Sequence, residues 1–286
     1  MAVSELHTPR RLAKLHERLG EPPRLVYIGA AAVAFWFVVA VFAPFIAPYD
    51  PIAQDLRTTL SPPSWAHPLG TDNFGRDVLS RIIFGTRLDL EMGILGVLFP
   101  FLIGITLGAF AGYFGGIVDT LLMRLLDVTI AFPYFVLVIA IIAILGPGVS
   151  SFYISVALVG WVSYARLVRA EMLVLREQDY VMACRALGFG HLRTMLRHML
   201  PNAIIPAVVF SMTDVVIVIL LGSSLSYLGL GAQPPTPEWG VMVADGQNFI
   251  TRAWWITFFP GVAIVLAALS FSLFADGLAE WLGVQE

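Results

Sequence analysis

Long runs of apolar residues without a charged side chain are the feature of this sequence that most restricts its fold. Five of these runs contain about 20 residues or more, the length that an α-helix needs to cross the roughly 30 Å hydrocarbon core of a bilayer. Of the 286 residues, 58% are hydrophobic and only 13% are charged, about half the charged share of an ordinary soluble domain. The sequence therefore predicts an all-α integral membrane protein.

The runs divide into six predicted transmembrane helices. The longest uncharged stretch follows Asp127; it is too long for one span, and the helix-breaking sequence Gly-Pro-Gly at 146–148 divides it into two. The other four spans are predicted at 25–47, 92–118, 204–222 and 253–275. Six crossings place both termini of the chain on the same side of the membrane.

These spans define the predicted organisation of the chain. The first 24 residues carry leucines and basic residues at helical spacing, which indicates an amphipathic helix at the membrane surface. The predicted parts are, in order, a cytoplasmic segment 1–24, a first transmembrane helix 25–47, a periplasmic segment 48–91 with an interfacial helix near 75–84, a five-helix core 92–278 and a cytoplasmic tail 279–286. The core includes a cytoplasmic loop at 169–202 and an outer loop at 223–255.

The distribution of basic side chains predicts which side of the membrane is cytoplasmic. With the N-terminus inside, the inner segments hold 12 of the 17 arginines and lysines, and the outer segments hold five. Membrane proteins keep such an excess on the cytoplasmic side. Both termini are therefore predicted to be cytoplasmic. The first apolar run is interpreted as a span and not as a signal peptide, because no small-residue cleavage site follows it.

Other residue types exclude several classes of function. The single cysteine, Cys184, excludes an intrachain disulfide and a metal site built from several cysteines. The sequence contains neither HExxH nor GxSxG, and its only lysine, Lys14, follows no glycine, so it has no phosphate-binding P-loop. The chain is accordingly predicted to have no catalytic residue, no metal site and no ATPase activity of its own. Nucleic-acid binding is not expected, since the basic residues are dispersed among apolar spans.

The cytoplasmic loop between the fourth and fifth spans carries two amphipathic patterns. The first consists of Val181, Cys184 and Leu187, and the second of Leu192, Met195, Leu196 and Met199. Gly188 and Gly190 separate the patterns, and glycine permits a tight reversal of the chain. The loop is therefore predicted to form two short helices with an apolar face and a rim of arginines. Such a surface lies on the membrane or fills a groove on a partner protein.

Part of this loop resembles a known signature. Residues 180–188 (Tyr-Val-Met-Ala-Cys-Arg-Ala-Leu-Gly), followed after nine residues by 198–201 (His-Met-Leu-Pro), are similar to the EAA loop of bacterial ABC importer permeases. The sequence departs from that signature at Met182, where the family has glutamate, at Cys184, where it has alanine, and at His198, where it has a hydrophobic residue. Without the glutamate, one charged contact with an ATPase is missing from the pattern.

Three further segments resemble the peptide/nickel branch of these permeases, and in particular its C-type subunit. They are 48–51 (Pro-Tyr-Asp-Pro), 67–81, which begins His-Pro-Leu-Gly-Thr-Asp, and 226–240, which begins Ser-Tyr-Leu-Gly-Leu-Gly and ends Pro-Pro-Thr-Pro-Glu-Trp-Gly. The four segments follow the order of the family and cover the chain from the first span to the last. The resemblance implies the six-helix, MetI-like fold of a type I ABC importer permease.

The resemblance also implies a function for the inner loop. In the family, this loop carries a coupling helix that inserts into a cleft of a separate ATPase subunit. Gly188 is expected to fit the turn to that cleft, and Pro201 is expected to end the helix before the fifth span. The residues that match the coupling motif are Tyr180, Met182, Ala183, Cys184, Arg185, Gly188, Leu200 and Pro201.

The same resemblance implies a set of partners and a cargo. The partners are a second homologous permease chain, two ABC ATPase subunits that use ATP and magnesium, an extracytoplasmic solute-binding protein and the lipid of the bacterial inner membrane. No cofactor is expected on this chain itself. The expected cargo is a di- or oligopeptide, with a nickel chelate, glutathione or an antibiotic peptide as alternatives.

Asp214 is the one acidic residue predicted to lie deep within a span. A charge near the bilayer centre costs at least roughly 2.5–3.5 kcal/mol on insertion scales, so this side chain should face the helix bundle or a water-filled path. Two interpretations stay open. Asp214 is either a pathway residue that meets a cationic group of the cargo, such as the amino terminus of a peptide, or a buried polar contact with another helix.

Two other classes of function compete with the importer. A secondary transporter would be expected to carry paired charges along its spans or an inverted repeat, and neither is apparent. An intramembrane enzyme would need two carboxylates in a catalytic context, and no GxGD sequence accompanies Asp127, Asp214 or Asp276. The proline-rich stretch 234–237 cannot form a regular helix and is predicted to lie at the outer interface.

Overall fold

The structure is a computed structural model that describes residues 21–283. Within these residues the chain is helical, with loops between the helices and an isolated β-bridge between Thr71 and Asp77. The all-α class predicted from the apolar runs is thereby confirmed. The predicted amphipathic segment 1–24 lies outside the described residues except for its last four.

The described residues form the following α-helices in chain order: α1 Arg24–Ile46, α2 Val78–Phe114, α3 Gly116–Ile130, α4 Tyr134–Leu145, α5 Val149–Arg176, α6 Asp179–Ala186, α7 His191–Arg193, α8 Leu200–Ala203, α9 Ile205–Tyr227, α10 Trp239–Gly246 and α11 Trp255–Leu282. A π-helical turn, Thr194–Met199, joins α7 to α8. A short 3₁₀ turn, Gln247–Phe249, follows α10.

Five of these helices, α1, α2, α5, α9 and α11, are long and apolar enough to cross a membrane. The helices α3 and α4 supply a sixth crossing only when they are taken together, because they meet at a bend of 86°. α4 has 12 residues and is therefore about 18 Å long, which is shorter than the roughly 30 Å hydrocarbon core. The bend occurs at Pro133, which disfavours a helical conformation in the residue before it.

The second span is longer than predicted. α2 has 37 residues and begins at Val78, so the separate interfacial helix expected near 75–84 is wrong, and the two predicted elements are one continuous helix. The charged residues that suggested a boundary are accommodated inside the protein. Asp89 is 2% exposed and accepts a hydrogen bond from the backbone N–H of Trp239 at 3.1 Å. The helix starts after Asp77, whose carboxylate accepts a hydrogen bond from a first-turn N–H at 2.8 Å.

α2 packs closely against α5 through a face of glycines. Gly104, Gly108 and Gly112 are spaced four residues apart, and a Cβ atom on any of them would lie within 2.6 Å of an atom of α5. Small residues at this spacing allow two helix backbones to approach each other within a membrane. The two helices are therefore held at a separation that larger side chains would not permit.

The outer segment is joined to the helix bundle by buried polar contacts. Arg76 forms ion pairs with Asp72 at 2.5 Å and with Asp245 of α10 at 3.1 Å. The indole N–H of Trp255, at the start of α11, donates a hydrogen bond to the carbonyl of Thr71 at 3.1 Å. These contacts hold the outer segment against α10 and α11.

The loops are shorter than predicted, because the helices extend into them. α5 continues to Arg176 and α9 to Tyr227, so both the cytoplasmic and the outer loop begin later than expected. α11 continues to Leu282, so the described part of the predicted tail 279–286 is mostly helical. The stretch 234–237 is not helical, as its prolines predict.

Candidate coupling site

The inner loop folds as two helical segments joined by a turn at Gly188, as predicted. α6 ends in a Schellman motif, in which the N–H of Phe189 donates to the carbonyl of Cys184 and the N–H of Gly188 donates to that of Arg185, both at 3.0 Å. Gly188 has a φ of +75°, a conformation that is strained for any other residue type. Apart from Gly188 and its two chain neighbours, no atom of the described chain lies within 4 Å of the position that a Cβ would take. The backbone conformation, and not crowding, therefore requires glycine here.

The apolar residues of the loop are divided between two sides. Four of them are buried against the spans: Val181, Cys184, Met195 and Met199. The other three, Leu187, Leu192 and Leu196, are 74%, 57% and 51% exposed. The helical spacing predicts that they lie on the same side as the buried four. The prediction of one apolar face per helix is therefore wrong. In the second segment the π-helical turn explains the difference, because its wider register changes which residues share a face.

The exposed side of the loop is apolar with a basic border. Its large apolar side chains, which we call the coupling face, are Tyr180, Met182, Leu187, Leu192 and Leu196, and each is at least 39% exposed. The bordering arginines, which are exposed as well, are Arg185, Arg193 and Arg197. Exposed apolar residues with a polar rim are typical of a surface that a partner protein or a membrane covers.

The eight residues of the predicted coupling motif do not all lie on the exposed side. Six of them are exposed: Tyr180, Met182, Ala183, Arg185, Gly188 and Pro201. Cys184 is 8% exposed, and Leu200 is partly buried against the hydrophobic core. These two residues are placed to support the loop from within.

Pro201 does not end the second helix of the loop, contrary to the prediction. It is the second residue of α8, the helix that follows directly on the π-helical turn. Proline has no N–H and cannot continue the α-helical hydrogen bonding. The preceding turn takes the wider register, in which the N–H of Leu200 donates to the carbonyl of Met195. The carbonyl of His198 accepts a hydrogen bond from the side-chain amide of Asn202 at 3.1 Å.

Tyr113, at the inner end of α2, contacts the loop although nothing in the sequence indicates it. Its hydroxyl oxygen is hydrogen-bonded to Nδ1 of His191 at 3.0 Å, and the guanidinium carbon of Arg185 lies 5.8 Å from its ring centroid. The tyrosine is 5% exposed. Tyr113 and His191 are 78 positions apart in the chain, so no local pattern predicts the contact.

Asp214 lies near the middle of α9, as predicted, about 14 Å along the helix from Ile205. Its Oδ2 accepts a hydrogen bond from the hydroxyl of Tyr164, on α5, at 2.6 Å. The residue is half-buried. The contact with another helix that one interpretation requires is therefore present. Its role in a pathway stays a prediction.

A pair of buried acidic residues, Asp89 and Glu238, at the outer end of the spans is a second feature that no local sequence pattern indicates. Glu238 is fully buried and caps α10 by accepting hydrogen bonds from the N–H groups of Gly240 and Val241 at 2.9 and 2.8 Å. Burial raises the pKa of the Glu238 carboxyl. On the neighbouring α2, Asp89 accepts a hydrogen bond from the hydroxyl of Ser223 at 3.4 Å. These contacts join α2, α9 and α10.

A helical bundle with five or six candidate spans, whose loop between α5 and α9 exposes apolar side chains, defines a polytopic membrane protein. Two family models match the chain and specify this class. The model for the binding-protein-dependent transport system inner membrane component matches residues 104–283, and the model for the N-terminal TM domain of oligopeptide transport permease C matches residues 24–63. The chain belongs to the family of binding-protein-dependent inner-membrane transport permeases. The resemblance predicted from its motifs is confirmed.

Named relatives match most of the chain. The di/tripeptide transport system permease protein DppC of Pseudomonas aeruginosa is 44% identical over 247 residues, which cover 84% of this chain and 82% of the relative. The dipeptide transport system permease protein DppC of Haemophilus influenzae is 39% identical over 259 residues, 88% of each chain. The glutathione transport system permease protein GsiD of Pectobacterium atrosepticum is 41% identical over 250 residues, 87% of this chain and 81% of the relative.

These relationships fix the general role of the chain. It is a permease subunit of an ABC importer in the inner membrane and not an enzyme. Its family implies ATPase and solute-binding-protein partners.

Proposed function

We propose that this chain forms part of the translocation pathway of an ATP-driven importer for di- or oligopeptides and that ATPase subunits move it through the coupling face. The observation that carries the proposal is that large apolar side chains with a basic border are exposed on the loop with the coupling motif. A helix that fills a groove on a partner transmits rigid-body movement, because packed interfaces adopt discrete arrangements. Alternating access of the spans would follow from that movement.

The detailed assembly is part of the same proposal. A second homologous permease completes the pathway, two ABC ATPases bind and hydrolyse ATP with magnesium, and an extracytoplasmic binding protein delivers the cargo to the outer side. This chain binds no cofactor itself. Both termini and the coupling face lie in the cytoplasm, which the 12 basic residues of the inner segments against five outside support.

Peptides are the favoured cargo. The relatives from Pseudomonas aeruginosa and Haemophilus influenzae are named as di/tripeptide and dipeptide permeases, and the glutathione permease also carries a small peptide. Peptides have a cationic amino terminus, and Asp214 provides a half-buried carboxylate in the middle of a span. Nickel chelates and antibiotic peptides are the alternatives within the same branch of permeases.

The substitution Gly188→Glu tests the coupling role. At a φ of +75°, a residue with a Cβ strains the turn by about 1–2 kcal/mol, and the carboxylate would alter the charge beside the arginine border. In the complete complex, reconstituted in proteoliposomes, we expect the variant to keep its spans in the membrane, to lose bound ATPase subunits and to abolish ATP-dependent uptake of labelled dialanine. Co-purification and uptake measure these effects.

Gly229→Glu is the matched control. Gly229 also has a φ of +75° and no atom within 4 Å of its Cβ position, but it lies in the outer loop, where the control should leave ATPase binding unchanged. Equal retention of the ATPases by both variants would contradict the proposal. Uptake that continues when ATP hydrolysis is blocked, with an ion gradient intact, would support a secondary transporter instead.

A further inference from the structure

Tyr113 joins both halves of the inner loop to the inner end of α2. We propose that Tyr113 is a positioning residue that makes α2 move together with the coupling face when an ATPase displaces the loop. The inference rests on the proposed coupling function. It goes beyond that function by naming the span that receives the movement, α2, and the side chain that transmits it, Tyr113.

Contacts from both helical segments of the loop meet on this one side chain. His191, in the second segment, is hydrogen-bonded to the Tyr113 hydroxyl, and the two rings lie 5.8 Å apart at an angle of 75°. Arg185, in α6, places its guanidinium 5.8 Å from the Tyr113 ring centroid, within the range of a cation–π interaction. Tyr113 itself is 5% exposed, so the tyrosine side of these contacts is shielded from water. The two halves of the loop are thus held in one arrangement relative to α2.

The covalent connections of the loop lead to other spans. One end of the loop continues into α5 and the other into α9. α2 is continuous with neither end, so a displacement of the loop reaches α2 only through non-covalent contacts. Tyr113 provides such a contact in the last turn of α2.

α2 is suited to carry the movement across the membrane. It is packed against α5 through its glycine face, and its 37 residues extend to the outer side, where Asp89 contacts the backbone of Trp239. Coupling between distant sites is carried by contiguous packed elements of this kind. The path from the coupling face to the outer loop therefore runs from Tyr113 along α2 to α10.

Substitutions on both sides of the contact test the inference in the complete reconstituted complex, with dialanine as the cargo. Tyr113→Phe removes the hydroxyl, His191→Ala removes its partner on the exposed loop, and Tyr113→Leu removes the aromatic ring as well. The measured quantity is the number of dialanine molecules transported per ATP hydrolysed. We expect this ratio to fall about fivefold in Tyr113→Leu and by a smaller factor in the other two variants, while ATPase binding and the melting temperature of Tyr113→Phe and His191→Ala stay unchanged.

Tyr153→Phe is the matched control, because the Tyr153 hydroxyl is hydrogen-bonded to Glu91, at 3.4 Å, far along the chain from the loop. It should keep the original ratio. The double variant Tyr113→Phe/His191→Ala should lose no more than the larger of the two single losses, since both remove the same hydrogen bond. Unchanged ratios in all three test variants, or losses that simply add, would overturn the inference. Neither result bears on Gly188→Glu, whose failure to release the ATPases would refute the coupling function itself.

Discussion

Asp214 places an ionisable side chain at a depth where a charge is costly. The cost at the bilayer centre is at least roughly 2.5–3.5 kcal/mol on insertion scales, and the hydrogen bond from Tyr164 at 2.6 Å offsets part of it. The residue is half-buried. A cationic group of a passing peptide would supply a second donor and the opposite charge.

Asp214→Asn tests this role because it removes the charge and keeps the shape of the side chain and an acceptor for Tyr164. We expect the uptake of dilysine to fall about tenfold more than the uptake of dialanine, which corresponds to ~1.4 kcal/mol and is close to the value of a charge-assisted hydrogen bond. Uptake of the two peptides by the reconstituted complex measures the difference.

Tyr164→Phe is the corresponding control, because it removes the hydroxyl at 2.6 Å and leaves the carboxylate in place. The discrimination between dilysine and dialanine should persist in this variant. Equal losses for both peptides in Asp214→Asn would mean that Asp214 does not recognise a cationic side chain, and an equal loss for N-acetyl-dialanine, which lacks the cationic amino terminus, would leave Asp214 as a structural contact between α9 and α5.

The helices themselves differ in how far the sequence predicts them. α1, α9 and α11 depend mainly on the hydropathy of their own residues, so the apolar runs predict α1 to within one residue at each end and the starts of α9 and α11 to within two. α9 and α11 end five and seven residues beyond their predicted ends. The start of α2 was not predicted, because Asp89 is stabilised by Trp239, 150 positions away. The loop motif predicted the positions of two helices and of the turn at Gly188. It did not predict which apolar residues of the loop are buried and which are exposed, because this depends on the π-helical turn and on packing against the spans.

The glycine face between α2 and α5 leads to a testable prediction about the packing of these two helices. A Cβ on Gly108 would lie 2.5 Å from the carbonyl oxygen of Ala165, so Gly108→Leu must push the helices apart. Overpacking of this kind costs about 1–3 kcal/mol, and we expect a lower melting temperature and less folded protein in detergent. Thermal unfolding followed by tryptophan fluorescence, together with size-exclusion chromatography, measures both.

Gly261→Leu is the matched substitution, because Gly261 lies within α11 and, outside the adjoining backbone of that helix, no described atom is within 4 Å of its Cβ position. This variant should unfold at the temperature of the unchanged protein. A similar decrease in both variants would mean that the close approach of α2 and α5 is not what Gly108 provides.

A small number of packed helices connect the inner side of the molecule to its outer side. The coupling face lies at one end of the α2–α5 pair, and the outer segment, α10 and α11 meet at the other through contacts of Asp89 and Arg76. A movement of the inner loop has a packed route to the outer loop only if these ends lie on opposite sides of the membrane. That arrangement requires the bent pair α3–α4 to cross.

Two exposed glutamines on either side of the bent pair test the topology. Gln54 lies in the outer segment and Gln178 in the inner loop, and α2, α3–α4 and α5 separate them. Three crossings place the two residues on opposite sides, whereas a re-entrant α3–α4 pair leaves two crossings and places them on the same side. Cys184→Ala removes the only cysteine and puts alanine where the related signature has it, so single cysteines at the two positions can be labelled separately.

With a membrane-impermeant maleimide applied to spheroplasts, we expect Gln54→Cys to be labelled at once and Gln178→Cys to be labelled only after the membrane is permeabilised. The reverse pattern would mean that the chain is inverted and that the excess of basic residues was misleading. Equal labelling of the two positions would mean that α3 and α4 enter and leave on one side. The coupling face would then lie on the same side of the membrane as the outer segment, where no cytoplasmic ATPase reaches it.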